Sequence, residues 1–164
     1  MKNKSLRVIR ALLSVVLAAA LCGCEALRYA PPEPGDDEIL LKIALDLEED
    51  VGLILVDTEM NGRKTYGGSS NADRSMIKRD DVIYHSVTRE DHGVGEDVSS
   101  TVLSVRIRVV TKYFTPNYEN DYPEQYVMPT EELTFSASFG NSYGITVTGN
   151  NVKGYTARLF SGTE

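Results

Sequence analysis

From Thr101 to Phe114 apolar and polar side chains alternate. Leu103, Val105, Ile107, Val109 and Tyr113 point one way; Ser104, Arg106, Arg108 and Lys112 point the other. A period of two marks a strand with one face on a core and the other in water, and here the wet face reads as basic. Glu131–Phe139 repeats the pattern, with Leu133, Phe135, Ala137 and Phe139 inward and Glu132, Thr134, Ser136 and Ser138 outward. Tyr143, Ile145 and Val147 alternate with Gly144, Thr146 and Thr148, and Val82–Thr88 and Val152–Phe160 read as further strands. In Ile39–Leu47 every odd position is apolar, but Leu40 and Ala44 dilute the polar set. The alternation favours a strand. A helix capped by Asp36 or Asp37 competes, because Leu, Lys and Ala are good helix formers.

Turn chemistry separates these runs. Asn61-Gly62 between Val51–Glu59 and Arg63–Tyr66 is a hairpin signal, since both residues tolerate positive φ. Gly67–Asp73 reads as a loop, Arg89–Ser100 as a polar loop, and Thr115–Pro129, with Pro116, Pro123 and Pro129, as a long one. Asn141-Ser142 and Gly149-Asn150-Asn151 read as turns. Seven or eight short strands with regular turns predict an all-β domain, an antiparallel immunoglobulin-like β-sandwich. Leu103, Val105, Ile107, Val109, Leu133, Phe135, Ile145 and Val147 are its expected core. The Cys…Trp…Cys core of antibody domains is missing, because the chain has no Trp. The stretch Gly67–Ser75 with Ile77-Lys78-Arg79 is similar to loops in uncharacterised exported β-domains of Gram-positive bacteria. That resemblance covers about a tenth of the chain and implies no chemistry.

The N-terminus has a different pattern. Lys2, Lys4, Arg7 and Arg10 precede the apolar run Ala11–Ala20, which ends in Leu21-Cys22-Gly23-Cys24. That order reads as a secretory signal, helical over residues 6–23. Its end resembles the lipobox of bacterial lipoproteins, in which an aliphatic residue stands three before a lipid-modified cysteine; Cys22 is a less usual choice at the second position. The resemblance implies cleavage before Cys24, a lipid on its sulfur, and attachment to the extracytoplasmic side of the cell membrane. The expected domains are the signal peptide at 1–23, a Pro-rich tether at 24–37 and the sandwich at 38–164. Pro31, Pro32 and Pro34 are half of the chain's six prolines and make the tether semi-extended.

Charge narrows the partners. The chain carries −7, and loss of four basic residues and no acidic ones with the signal leaves −11. Such a chain repels phosphates, which argues against nucleic acid. Ser75-Met76-Ile77-Lys78 matches the Ser-x-x-Lys of penicillin-recognising enzymes, but the companion Ser-Asp-Asn and Lys-Thr-Gly elements are absent. The only histidines are His85, expected half-buried in a strand, and His92, expected in a solvated loop. Neither cofactor nor metal is expected. A zinc site needs several His or Cys ligands, and no acidic cluster fits an EF-hand loop. Glu48-Glu49-Asp50, Asp80-Asp81, Glu96-Asp97 and Asn117–Asp121 read as solvated turns.

One stretch stands out in composition. Tyr113, Phe114, Tyr118, Tyr122 and Tyr126 are five of the thirteen aromatics, the nine Tyr and four Phe. Tyr113, Tyr118, Tyr122 and Tyr126 are therefore the candidate ligand-binding residues, for a glycan or a protein; folding back over the open end of the sandwich is their structural alternative. The expected function is a membrane-anchored binding or interaction module without catalysis. The alternatives are an accessory subunit of an envelope complex and a small hydrolase.

Overall fold

The structure, a computed structural model, describes residues 31–73, 75–112 and 122–160. The expected signal helix and Cys24 lie outside them. The chain divides into two units, Met1–Pro32 and Glu33–Glu164, and the described strands belong to the second. They are β1 (Glu38–Leu47), β2 (Leu53–Met60), β3 (Arg63–Ser69), β4 (Val82–Thr88), β5 (Ser100–Val110), β6 (Val127–Pro129), β7 (Leu133–Ser138), β8 (Asn141–Asn150) and β9 (Gly154–Phe160). A one-turn helix, α1 (Arg89–His92), follows β4, and a 3-10 turn at Glu124–Tyr126 precedes β6.

The domain is an all-β sandwich. One sheet has the order β4-β1-β8-β9; the other runs β3-β2-β5, with β6 and β7 sharing the far side of β5. The described strands number nine rather than seven or eight. One pairing departs from the antiparallel expectation: β1 runs parallel to β8, with Ile39 opposite Asn141 and Leu47 opposite Gly149. Residues so far apart in sequence can pair in parallel because a whole sheet intervenes, whereas hairpins force antiparallel neighbours.

The alternation places the core. Ile39, Leu41, Ile43, Leu45 and Leu47 of β1 meet Ile54, Val56 and Met60 of β2 and Leu103, Val105, Ile107 and Val109 of β5. Ile145, Val147, Tyr155 and Ala157 join them, and Leu133 and Phe135 pack against this cluster only half-buried. Ile39–Leu47 is a strand because β4 and β8 supply hydrogen bonds on both sides, which outweighs its helix propensity.

Several boundaries differ from the sequence reading, each for a local reason. Asn61 and Gly62 both have positive φ and make the expected hairpin. Gly67 and Gly68 then continue β3 instead of ending it. A Cβ on Gly67 would lie 2.3 Å from Cε1 of His85, and one on Gly68 would lie 3.0 Å from Cδ2 of Leu55. These glycines admit close packing; they do not make a turn. Val127–Pro129 is strand, not loop, pairing with Arg108–Val110; three residues are too few to display a period. β5 ends at Val110, short of the expected Phe114. The β7–β8 turn lies at Phe139-Gly140, with Gly140 at φ 76°, so Asn141 and Ser142 already belong to β8. The next turn falls at Asn151–Lys153, where the Asn150 side-chain oxygen accepts from the Val152 and Lys153 amides.

Within the expected polar loop after β4, Thr88 caps α1 and Gly93 ends it in the left-handed conformation. Arg89 organises the rest. Its guanidinium donates to the Gly95 and Val98 carbonyls and stacks 3.7 Å from the Phe139 ring centroid.

The core assignment predicts graded losses. Ile107→Ala should cost about 2–5 kcal/mol. Val102→Ala, on the outer face of the same strand, should stay within about 0.5 kcal/mol. Urea midpoints of the two variants check this.

Candidate functional site

The outward face of the β3-β2-β5 sheet is built of cross-strand rows. Tyr66, Asp57 and Arg106 form one row; Lys64, Glu59, Ser104 and Thr134 form the next. Directly opposed side chains on a sheet lie within reach of each other, and diagonal ones within reach of long side chains. Asp57 uses the diagonal. Its carboxylate takes the Arg108 Nη2 at 2.7 Å and Nε at 3.1 Å. Arg106, directly opposite Asp57, is left to Glu132, at a single contact of 3.4 Å. Lys64 meets Glu59 at 3.3 Å.

The expected basic face is therefore mixed. Sequence alternation turned Arg106 and Arg108 outward, as observed, but pairing brings Asp57, Glu59 and Glu132 to them from other strands. Burial opposes the Arg108 charge; the bond to Asp57 and the proximity of Tyr122 outweigh it and hold the guanidinium above its usual pKa. Between these rows lies a groove of about 130 Å³, with Tyr66 at its side and Ser104, Arg106 and Glu132 across from it. Tyr66 is 68% exposed, a high value for an aromatic ring on a sheet.

Of the tyrosines singled out by sequence, Tyr113 and Tyr118 lie outside the described residues. Tyr122 is half-buried and acts on Arg108. Tyr126 is half-buried, with the Lys112 ammonium 5.5 Å from its ring centroid. Tyr66 is the aromatic that sequence reasoning missed; one tyrosine in a four-residue run gave no signal, whereas a cluster did.

The histidines occupy the edge where β3 and β4 face each other across the sandwich. His85 is half-buried, as expected, on the inward face of β4 between Ile83 and Val87, and packs on the Gly67 backbone. His92 corrects the expectation of a solvated loop: it is fully buried. Capping of α1 turns it inward. Its Nδ1 lies 3.0 Å from the Arg63 carbonyl, so that nitrogen carries hydrogen. Its Nε2 lies 3.2 Å from the hydroxyls of Thr58 and Thr65, which share a 2.7 Å hydrogen bond.

The remaining candidates serve the loops. Ser75 donates to Asp73 at 2.7 Å and Lys78 to Asp50 at 2.7 Å, so the two ends of the Ser-x-x-Lys pattern have separate partners. Glu49 accepts from the Tyr155 hydroxyl and the Asn151 amide. Burial first, and Glu49 second, push the Tyr155 phenol well above its ordinary range. Among the described residues no group of three or more His, Cys, Asp or Glu is placed to hold a metal ion.

No family model matches the chain, and no curated protein matches it. Among solved structures it is similar to listeriolysin O, at 6% identity and a TM-score of 0.35 over 76% of this chain and 23% of that one. It is also similar to pneumolysin, at 12% and 0.33 over 78% and 24%. The membrane-binding domain of pneumolysin aligns at 8% and 0.30, over 78% of this chain and 98% of that domain. The chain spans about a quarter of the two whole toxins. Likeness at this level carries no functional argument.

Burial holds the His85 pKa below the ordinary 6.5, with Asp91 opposing and His92 adding to the effect. The native state therefore binds this proton less readily than the unfolded chain. Stability from this group is intact above about pH 6.5 and falls as pH drops below it, until the lower native pKa is passed. His85→Gln should flatten the fall below about pH 6.5. Urea midpoints across that range check it; an unchanged slope would contradict the assignment.

Proposed function

We propose that this chain is a lipid-anchored extracytoplasmic binding module without catalysis, using the outward face of the β3-β2-β5 sheet. The observation that carries the anchor is the order basic run, apolar run, Leu21-Cys22-Gly23-Cys24. Two acyl chains hold a protein on a bilayer stably where one does not. A tether of fourteen residues, 24–37, reaches roughly 40 Å at ~3 Å per residue, enough to hold the domain off the membrane.

The placement of the histidines supports the reading without catalysis. Thr58 and Thr65 are the hydroxyls beside His92, but His92 is fully buried and no substrate reaches it. His85 is wedged on Gly67. The binding face is argued from the groove, where side chains of both signs and an exposed ring converge on rigid strands. Tyr122 remains part of this reading, because it reaches Arg108 on the same face.

A second reading, an accessory subunit of an envelope complex, is favoured by one observation. The edge strand β9 exposes Leu159 and Phe160, and edge strands accept a partner strand.

Cys24→Ser tests the anchor. The wild-type protein should incorporate labelled fatty acid and pellet with membranes. The variant should do neither and should stay unprocessed. Identical fractionation without label in both would contradict the proposal.

A further inference from the structure

The groove on the β3-β2-β5 sheet has a composition that selects among ligands. Its lining carries three carboxylates, Asp57, Glu59 and Glu132, and two cations, Lys64 and Arg106; Arg108, paired with Asp57, brings the charges to balance. The chain as a whole is acidic. An anion is repelled by the acidic chain and finds Arg108, Lys64 and Arg106 already paired. A cation meets carboxylates that Arg108, Lys64 and Arg106 already occupy, so binding it means displacing a side chain of the same sign.

A neutral ligand meets no such competition. Arg106 has five N–H donors and among the described residues spends one long contact on Glu132, both partners being nearly half exposed. Exposed pairs of this kind are worth about 0–1 kcal/mol, so their lone pairs and donors are available to a hydroxyl. A hydroxyl both donates and accepts. It can bridge a carboxylate and a guanidinium without breaking the pair, and a ring bearing several hydroxyls can do so at several points. Tyr66 supplies the remaining element, an exposed aromatic face beside the polar groups, against which the C–H face of a sugar ring packs. Tyr66, Asp57 and Arg106 stand in one row across three hydrogen-bonded strands, so their spacing is set by the backbone. The groove, about 130 Å³, is open on its outer side, so one ring can lie partly within it with the rest of a chain along the sheet.

We infer that this groove binds one ring of a neutral saccharide, with Tyr66 as the stacking platform and Arg106, Glu132 and Asp57 as the hydroxyl partners. The inference rests on the reading of the chain as a binding module on this face. One ring gives an affinity on the order of millimolar.

The test is a titration of the ¹⁵N-labelled full chain in detergent micelles. The probes are the neutral disaccharides maltose, cellobiose, lactose and N,N′-diacetylchitobiose, with glucuronic acid as the anionic probe and trilysine as the cationic one. The expected result is that at least one neutral disaccharide shifts the amide signals of Asp57, Tyr66, Ser104 and Arg106. Tyr66→Ala should weaken that binding about tenfold or more, with the melting temperature kept. Val152→Ala, on the distant β8–β9 turn, should leave it unchanged. Shifts on this face from trilysine or glucuronic acid, and from no disaccharide, would overturn the saccharide inference while leaving the binding face standing. Silence of the face to every probe would overturn the inference and remove the support for the face. Saccharide binding unaffected by Tyr66→Ala would overturn the stacking role.

Discussion

Strand β1 is hydrogen-bonded on both sides, antiparallel to β4 and parallel to β8. Its five odd-numbered residues, Ile39 to Leu47, are all buried. A slip of one residue against either neighbour would turn that whole set to water. The register is also pinned outside the strand: the Gly140 amide donates to the Glu38 carbonyl, and the Glu48 amide to Gly149. Closing β1 on β8 brings together segments from opposite ends of the domain, so the loop entropy is lost before the core repays it. The order of the rest follows. β2 to β7 fill the interval between the partners, and the outward rows that hold Tyr66, Asp57 and Arg106 exist only once β3, β2 and β5 are fixed over that core.

The edge between β3 and β4 shows how the two sheets are closed where strands have no further neighbour. Gly67 lets the His85 ring lie on the β3 backbone. The cap on α1 then places His92 so that it binds the Arg63 carbonyl and the Thr58 and Thr65 hydroxyls. Three polar groups are thus satisfied at this edge, which matters because buried polar atoms without partners cost more than the bonds gain. Arg89 joins this edge to the β7–β8 turn through Phe139. The histidines are parts of the scaffold, and the face on the far side of β3 is what they hold in place.

Much of this was legible in the residues, for a physical reason. A period of two survives any tertiary context because it is fixed by the pleat. Hence the β5 core positions, the inward run of β8 and the Asn61-Gly62 hairpin could be read directly. Partners across strands leave no such trace. That Asp57 pairs with Arg108 rather than the directly opposed Arg106 depends on rotamers and diagonals, and so the face that reads as basic is balanced. Gly67 and Gly68 looked like a turn because sequence cannot separate glycine needed for φ from glycine needed for space. His92 looked solvated because its neighbours are polar, yet one helical turn is enough to bury it. Tyr118, Tyr122 and Tyr126 stand out in composition because they cluster, whereas the isolated Tyr66 depends on its neighbours across the sheet.

The central proposal is that the outward β3-β2-β5 face is engaged by a ligand in the cell. Carbodiimide labelling of carboxylates, read residue by residue by mass spectrometry, measures this directly on intact cells and on the purified chain. The account predicts that Asp57, Glu59 and Glu132 are labelled less on cells than in the purified protein, while Asp46, outward on the opposite sheet, and Asp36, before β1, react equally in both. Equal labelling of Asp57, Glu59 and Glu132 in the two settings, or protection confined to the opposite sheet, would contradict it.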